Sequence, residues 1–143
     1  MPRTVVSQLR RFQRDPSGAV AIEFVLIAPL LLTLLFGIIT LGYFIGVSHS
    51  VHQLAAGAAR ASVAGLDETE RSELADAYLS QAGQHYPLLV QTEVTPDVIF
   101  DGGAQAGITV NVSYDIDGSL LDIANGFLGL GLTTIDGSAY LAY

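Results

Sequence analysis

Twenty-four consecutive residues, Phe24 to Val47, carry no charge, and no polar face recurs among them at helical spacing. At about 1.5 Å per residue such a helix is roughly 36 Å long. That length crosses a hydrocarbon core of roughly 30 Å with some tilt. The run opens just after Gly18, and Glu23 is its only acidic or basic side chain. The pattern predicts a transmembrane helix over residues 19–47. A buried helix of a water-soluble domain is normally shorter and amphipathic.

Beyond Val47 the helical pattern continues while its character changes. Val51, Leu54, Ala55, Ala58, Ala59 and Ser62 line one face of an alanine-rich stretch. Alanine favours helix intrinsically, so the span is expected to extend over residues 48–65, with Gly65 as its stop. Asp67 followed by Glu70 has the spacing of a capping box, and predicts a helix to about Gln81 with Leu74, Ala77, Tyr78 and Gln81/Ala82 on its apolar face. Leu88–Glu93 then reads as a strand that Pro96 interrupts and Val98–Phe100 resumes. Ile108–Ile116 alternates apolar and polar residues, the clearest strand in the chain. Leu120–Leu130 suits a short helix followed by a loose segment. Thr133–Tyr143 suits a last strand, with Ile135, Tyr140 and Ala142 facing inward. The fold class expected is α+β: a long N-terminal transmembrane helix continuing into a small head, residues 66–143, with a second helix and a short antiparallel sheet.

Charge orients this layout. Four of the six arginines (Arg3, Arg10, Arg11, Arg14) precede the span, with Asp15 the one acid among them, whereas twelve acids and only Arg60 and Arg71 follow it. Positive charge beside a span keeps that side in the cytoplasm, so the N-terminus is expected inside and the acidic head in the periplasm. An acidic head also argues against a nucleic-acid partner, which needs a basic footprint. The chain has no cysteine, which excludes disulfides and thiolate metal sites.

Residues 1–18 read as a basic leader to be processed, not as a folded element, with a turn at Asp15-Pro16-Ser17-Gly18. Cleavage after the apolar core, near Ala55–Ala59, fits less well, because the core is about twice the length of an ordinary signal. The other place for a cut is before the core. Gly18-Ala19-Val20-Ala21-Ile22-Glu23-Phe24 resembles the recognition site of prepilin peptidase, which cuts after the glycine. A glutamate near the membrane edge is costly unless paired, and cleavage would create an ammonium on Ala19, one helical turn from Glu23. The alternative for Glu23 is an interfacial acid favoured by the helix dipole. The wider block, Gly18 through Glu23-Phe24 to Pro29-Leu30-Leu31-Leu32, resembles the opening of TadE-like proteins, the minor pilins or pseudopilins of tight-adherence, Flp-type pili. Ile22 stands where that family usually has valine. Ala58-Ala59-Arg60-Ala61 resembles the segment after the span in the same family, so the likeness covers about residues 18–65.

That resemblance implies a membrane-anchored assembly protein of the bacterial inner membrane. Gly18 and Ala19 would flank the cleaved bond, and Glu23 and Phe24 would serve recognition and assembly. Implied partners are prepilin peptidase, other pilins or pseudopilins, inner-membrane pilus assembly proteins and the lipid bilayer. Incorporation into an extracellular pilus stays open at this point. Two alternatives share the span: an uncleaved single-span envelope scaffold with a periplasmic binding head, and a secretion-system pseudopilin, though the latter usually opens with phenylalanine where this chain has Ala19. Pro29 lacks the amide for the helical bond to Val25 and is expected to bend the helix. Gly42-xxx-Gly46 has the spacing that lets a second helix approach.

Other chemistry is thin. His49 and His52 share a helix face but lack a third ligand. Asp115/Asp117 and Asp97/Asp101 follow no full calcium loop and read as solvated turn acids. Asn111-Val112-Ser113 has a glycosylation pattern but lies within a strand. No nucleophile elbow, catalytic signature or phosphate loop occurs. The expectation is a protein that is not an enzyme and holds no cofactor and no metal.

Overall fold

A computed structural model describes residues 16–102 and 106–143; most of the basic leader lies outside the described residues. The architecture is α+β, with a long apolar N-terminal helix, shorter helices and a three-stranded antiparallel sheet. The chain divides into two units at Ile39/Thr40. The described part of the first is helix only, and the second holds everything else.

Helix α1 runs from Pro16 to Ser62. It opens before the expected point, because proline's fixed φ suits the first helical position, where its missing N–H is no loss. Pro16, Ser17 and Gly18 are therefore helical rather than a turn. In the second unit α1 buries Val47, Val51, Leu54, Ala55, Ala58, Ala59 and Ser62. Their spacings of three and four place them on one stripe, the face read from the pattern with Val47 added. Ser62 satisfies its hydroxyl by donating to the Ala59 carbonyl at 2.7 Å.

Helix α2, Glu68–Leu79, starts at the capping box. The Asp67 carboxylate accepts from the Glu70 amide at 2.9 Å, and Glu70 Oε2 accepts from the Leu66 amide at 2.7 Å. Its buried residues are Ala75 and Leu79, followed by Ala82 in the short helix α3, Ala82–His85. The expected apolar face is thus corrected by about one position: Ala77 and Gln81 are exposed, and Leu74 and Tyr78 only half-buried. A helix with few large apolar residues leaves that phase weakly specified.

The sheet is a meander, β1 Val94–Asp101, β2 Gly107–Asp115 and β3 Thr134–Ala142, with β2 in the middle. Its register places Val98, Val110 and Ala139 abreast, and likewise Val94, Tyr114 and Ile135. Period-two alternation therefore gives one buried face, on which Ile108, Val110, Val112 and Tyr114 are almost fully enclosed. The opposite face carries Asn111, Ser113, Asp136 and Ser138, where Ser113 donates to Asp136 and Ser138 donates to Asn111 at 2.7 Å.

Three strand expectations change. Leu88–Glu93 is no strand: it ends in a 3-10 turn, Gln91–Glu93. Pro96 does not interrupt β1, because β1 is an edge strand and an edge tolerates a residue without a donor. In β3 the inward residues are Ile135, Gly137, Ala139 and Leu141, so Tyr140 and Ala142 point out. Residues an odd number of positions from Ile135, five for Tyr140 and seven for Ala142, cannot share its strand face.

Helix α4, Leu120–Leu128, connects β2 to β3. The Ser119 hydroxyl accepts from the amides of Leu121 and Asp122 at its start. Gly129, at φ 63°, closes it in the left-handed conformation that glycine adopts freely.

An aromatic cluster flanks α2 and α3. The Tyr78 ring stacks on His85 at 4.9 Å, and the Tyr78 and Tyr86 hydroxyls are 3.4 Å apart. Burial, and then the hydrogen bond with Tyr78, push the Tyr86 phenol up to about 12 from 10.0. The folded chain thus holds that proton more tightly than the unfolded chain. Its contribution to stability is complete below pH 10.0 and is lost as pH rises through about 12. Urea midpoints measured across that window should fall with pH, and Tyr86→Phe should flatten the fall.

Candidate functional site

The residues singled out in the sequence lie along the first half of α1. Gly18 and Ala19 fall in its opening turns, and Glu23 follows one turn after Ala19. Glu23 and Phe24 are exposed, Phe24 at 68%. No hydrogen bond or ion pair engages Glu23 among the described residues. From Val20 to Ile39 every large apolar side chain stands open. A helix clad in leucine, isoleucine and phenylalanine with nothing over it is unfavourable in water and favourable in lipid. This is one candidate membrane span by length and composition.

Pro29 sits within the continuous helix. One turn later the Thr33 hydroxyl donates to the Pro29 carbonyl at 2.8 Å, so this hydroxyl is satisfied without a neighbour. The two glycines at packing spacing divide. Gly42 has open space beside it, whereas a Cβ at Gly46 would stand 2.9 Å from Leu88 Cδ1. Gly46 therefore serves a contact within the chain, and only the Gly42 side is free for a neighbouring helix.

The remaining polar clusters are explained locally. His52 Nδ1 lies 2.8 Å from the Ser48 carbonyl, and His49 Nε2 lies 3.1 Å from Gln53 Nε2, each one turn away. Asp115 accepts from the Asp117 amide at 2.9 Å, which makes it a turn acid. Asp97 is exposed on the outward face of β1. Among the described residues no three His, Cys, Asp or Glu side chains gather as a metal site would need.

Around α4 large apolar side chains are left open, Phe127 at 89% and Ile123 at 63%. The apolar run from Leu120 to Leu132 signalled this, but alternation and periodicity do not say which side a helix leaves uncovered.

The family model described as TadE-like protein matches residues 18–60. No curated protein and no solved structure matches the chain. The matched segment starts at the glycine, includes Glu23 and ends two residues before α1 does. Residues 18–60, the apolar helix with Gly18 and Glu23 at its start, are therefore a TadE-like segment.

Proposed function

We propose that this protein is a minor pilin or pseudopilin that takes part in building a tight-adherence, Flp-type pilus. The observation that carries the reading is the TadE-like match at residues 18–60, coinciding with an uncovered apolar helix whose one acid, Glu23, has no partner among the described residues. In this reading the chain enters the inner membrane with its arginine-rich end in the cytoplasm. Prepilin peptidase cuts after Gly18, and the ammonium of Ala19 and the carboxylate of Glu23 pair within or between subunits as α1 helices pack. The work is structural and involves no catalysis by this chain. Removal of the leader takes away four arginines and Asp15, leaving two basic and thirteen acidic side chains. The head then favours basic partner surfaces among the other assembly proteins.

Intact mass and N-terminal sequencing of protein extracted from membranes, with and without prepilin peptidase, test this directly. A peptidase-dependent start at Ala19 is expected. An intact leader would leave an uncleaved single-span scaffold, and a start near residue 60 would make the span an ordinary signal.

A further inference from the structure

The second unit, residues 40–143, has two distinguishable ends. At one, the Arg71 Nε donates to the Gly65 carbonyl at 3.0 Å and its guanidinium lies 3.7 Å from the centre of the Tyr143 ring. The Tyr143 amide donates to the Ala106 carbonyl at 3.0 Å. The C-terminal end of α1, the end of β3 and the start of β2 thus meet there. The other end holds the start of β3, the end of β2 and the start of β1, with Ile135 abreast of Tyr114 and Tyr114 abreast of Val94. Tyr43 and Phe44 pack against the core, and Leu88 meets Gly46. The Val90 amide donates to the Tyr114 hydroxyl at 3.4 Å, tying Leu88 and Val90 to this second end.

Helix α4 belongs to the second end too. The Ile116 amide donates to the Thr133 carbonyl at 3.2 Å, which closes the excursion containing α4 just below the strands. Gly137 of β3 touches α1 at Val51 and His52. Thr133 lies four strand residues back, ~13 Å, and Tyr43 lies eight helical residues before Val51, ~12 Å. The base of α4 is therefore level with Tyr43, in the last apolar turns of α1 and before Ser48, His49 and Ser50.

Leu88 and Val90 at this second end, and Ile123, Phe127, Leu128 and Leu130 in the segment closed by the Ile116–Thr133 bond, are all exposed. Single exposed apolar residues are ordinary, but several at one end of a folded unit mark a contact surface. The polar groups of the segment are already used. Asn125 Nδ2 donates to the Leu132 carbonyl at 2.6 Å while its Oδ1 accepts from the Leu132 amide at 3.1 Å. Asp122, the segment's one charged side chain, accepts from the Gly118 amide at 3.2 Å. Polar side chains that already have partners within the chain lose less on leaving water.

We propose that α4, with the residues after it and Leu88 and Val90, is a second membrane contact, lying in the headgroup–acyl boundary where α1 leaves the bilayer. The proposal rests on the reading of α1 as a membrane span. The patch is continuous in level with the apolar exit of that span, and this favours lipid over a second copy of the head, whose twelve acids against two arginines would face an identical charge. Insertion is apolar in origin, so uncharged-headgroup lipid suffices and salt has little effect.

The test uses the full chain in phosphatidylcholine proteoliposomes. The sequence has no cysteine, so a single spin label is placed by Phe127→Cys, or by Leu130→Cys as an independent position. Asp97→Cys, on the outward sheet face, and Leu34→Cys, in the span, serve as references. The ratio of oxygen to nickel-chelate accessibility at 127 and 130 is expected to be several-fold above that at 97 and unchanged by salt. A ratio at 127 and 130 equal to that at 97, with lipid-like values at 34, overturns the foot and leaves the span standing. A water-like value at 34 overturns the span itself. Shielding from both relaxers, with spin broadening removed by diluting in unlabelled protein, would assign the patch to a second copy and equally overturn the proposal.

Discussion

Gly137→Val is expected to destabilise the head by about 3 kcal/mol, the upper end of the usual overpacking range. A Cβ at Gly137 would stand 2.9 Å from Val51 Cγ1, 3.0 Å from the His52 nitrogen and 3.1 Å from its Cα. A side-chain atom can swing away, but two of these three neighbours belong to the backbone of α1. Relief would require moving the helix off the sheet, and Val51, Leu54, Ala55 and Ala58 would lose contact together. Valine's preference for strands opposes this by no more than ~1 kcal/mol, so the steric term wins. Against a total stability of about 5–15 kcal/mol for an ordinary domain, the loss is large. Urea unfolding of the full chain in detergent, followed by the near-ultraviolet signal of its tyrosines, reads it. Ala142→Val, at an exposed position of the same strand, should leave the midpoint nearly unchanged. Equal midpoints for the two variants would show that the close approach at Gly137 does not hold.

Glu23→Ala is expected to leave membrane insertion intact and to abolish most assembly. Removing a carboxylate from an apolar helix makes insertion easier, not harder. On the proposed reading, in which cleavage leaves an ammonium on Ala19, the consequence appears only when helices pack, because that ammonium then loses its partner in a place without water. Leaving one member of a buried pair uncompensated costs about 3–5 kcal/mol, equivalent to roughly a hundredfold or more in association. Fractionation should recover the variant from membranes in normal amount, while its co-purification with other pilus subunits should fall to background. Normal co-purification would mean that Glu23 is an interfacial residue favoured by the helix dipole alone. Glu23→Gln separates charge from shape, and should resemble alanine if the ion pair is the cause.

How far the chain is legible without coordinates depends on how much apolar material each element carries. The span needed no neighbours to be recognised: twenty-four uncharged residues suffice. The stripe from Val51 to Ser62 was equally readable, since spacings of three and four leave one solution for a helix. Strand β2, flanked on both sides, alternates cleanly because one of its faces is fully enclosed. By contrast, α2 holds mostly alanine and charged residues, and its phase shifted by about one position on folding. Strand β3 misled for another reason. Tyr140 looks like core by composition, yet alternation from Ile135 puts it on the outward face, and at the inward Gly137 α1 comes too close for a side chain.

The candidate site divides along the same line. Gly18, Glu23, Phe24 and Pro29 are neighbours in sequence on a single helix, so local spacing alone was enough to group them. The exposed apolar residues of the proposed membrane contact come from distant stretches, Leu88 and Val90 on one hand and residues 123–130 on the other, which the Val90–Tyr114 and Ile116–Thr133 hydrogen bonds bring to one end of the second unit.

By itself the amino-acid sequence determined the candidate span, its acid, its polarity of charge and the α+β class, because each depends on local length, spacing or composition. Only the tertiary structure decided that Gly46 is filled by Leu88, that Pro96 sits harmlessly on an edge, and that Phe127 is left uncovered. Those outcomes depend on which surfaces meet, and a meeting of surfaces is set by the packing of residues far apart in the chain.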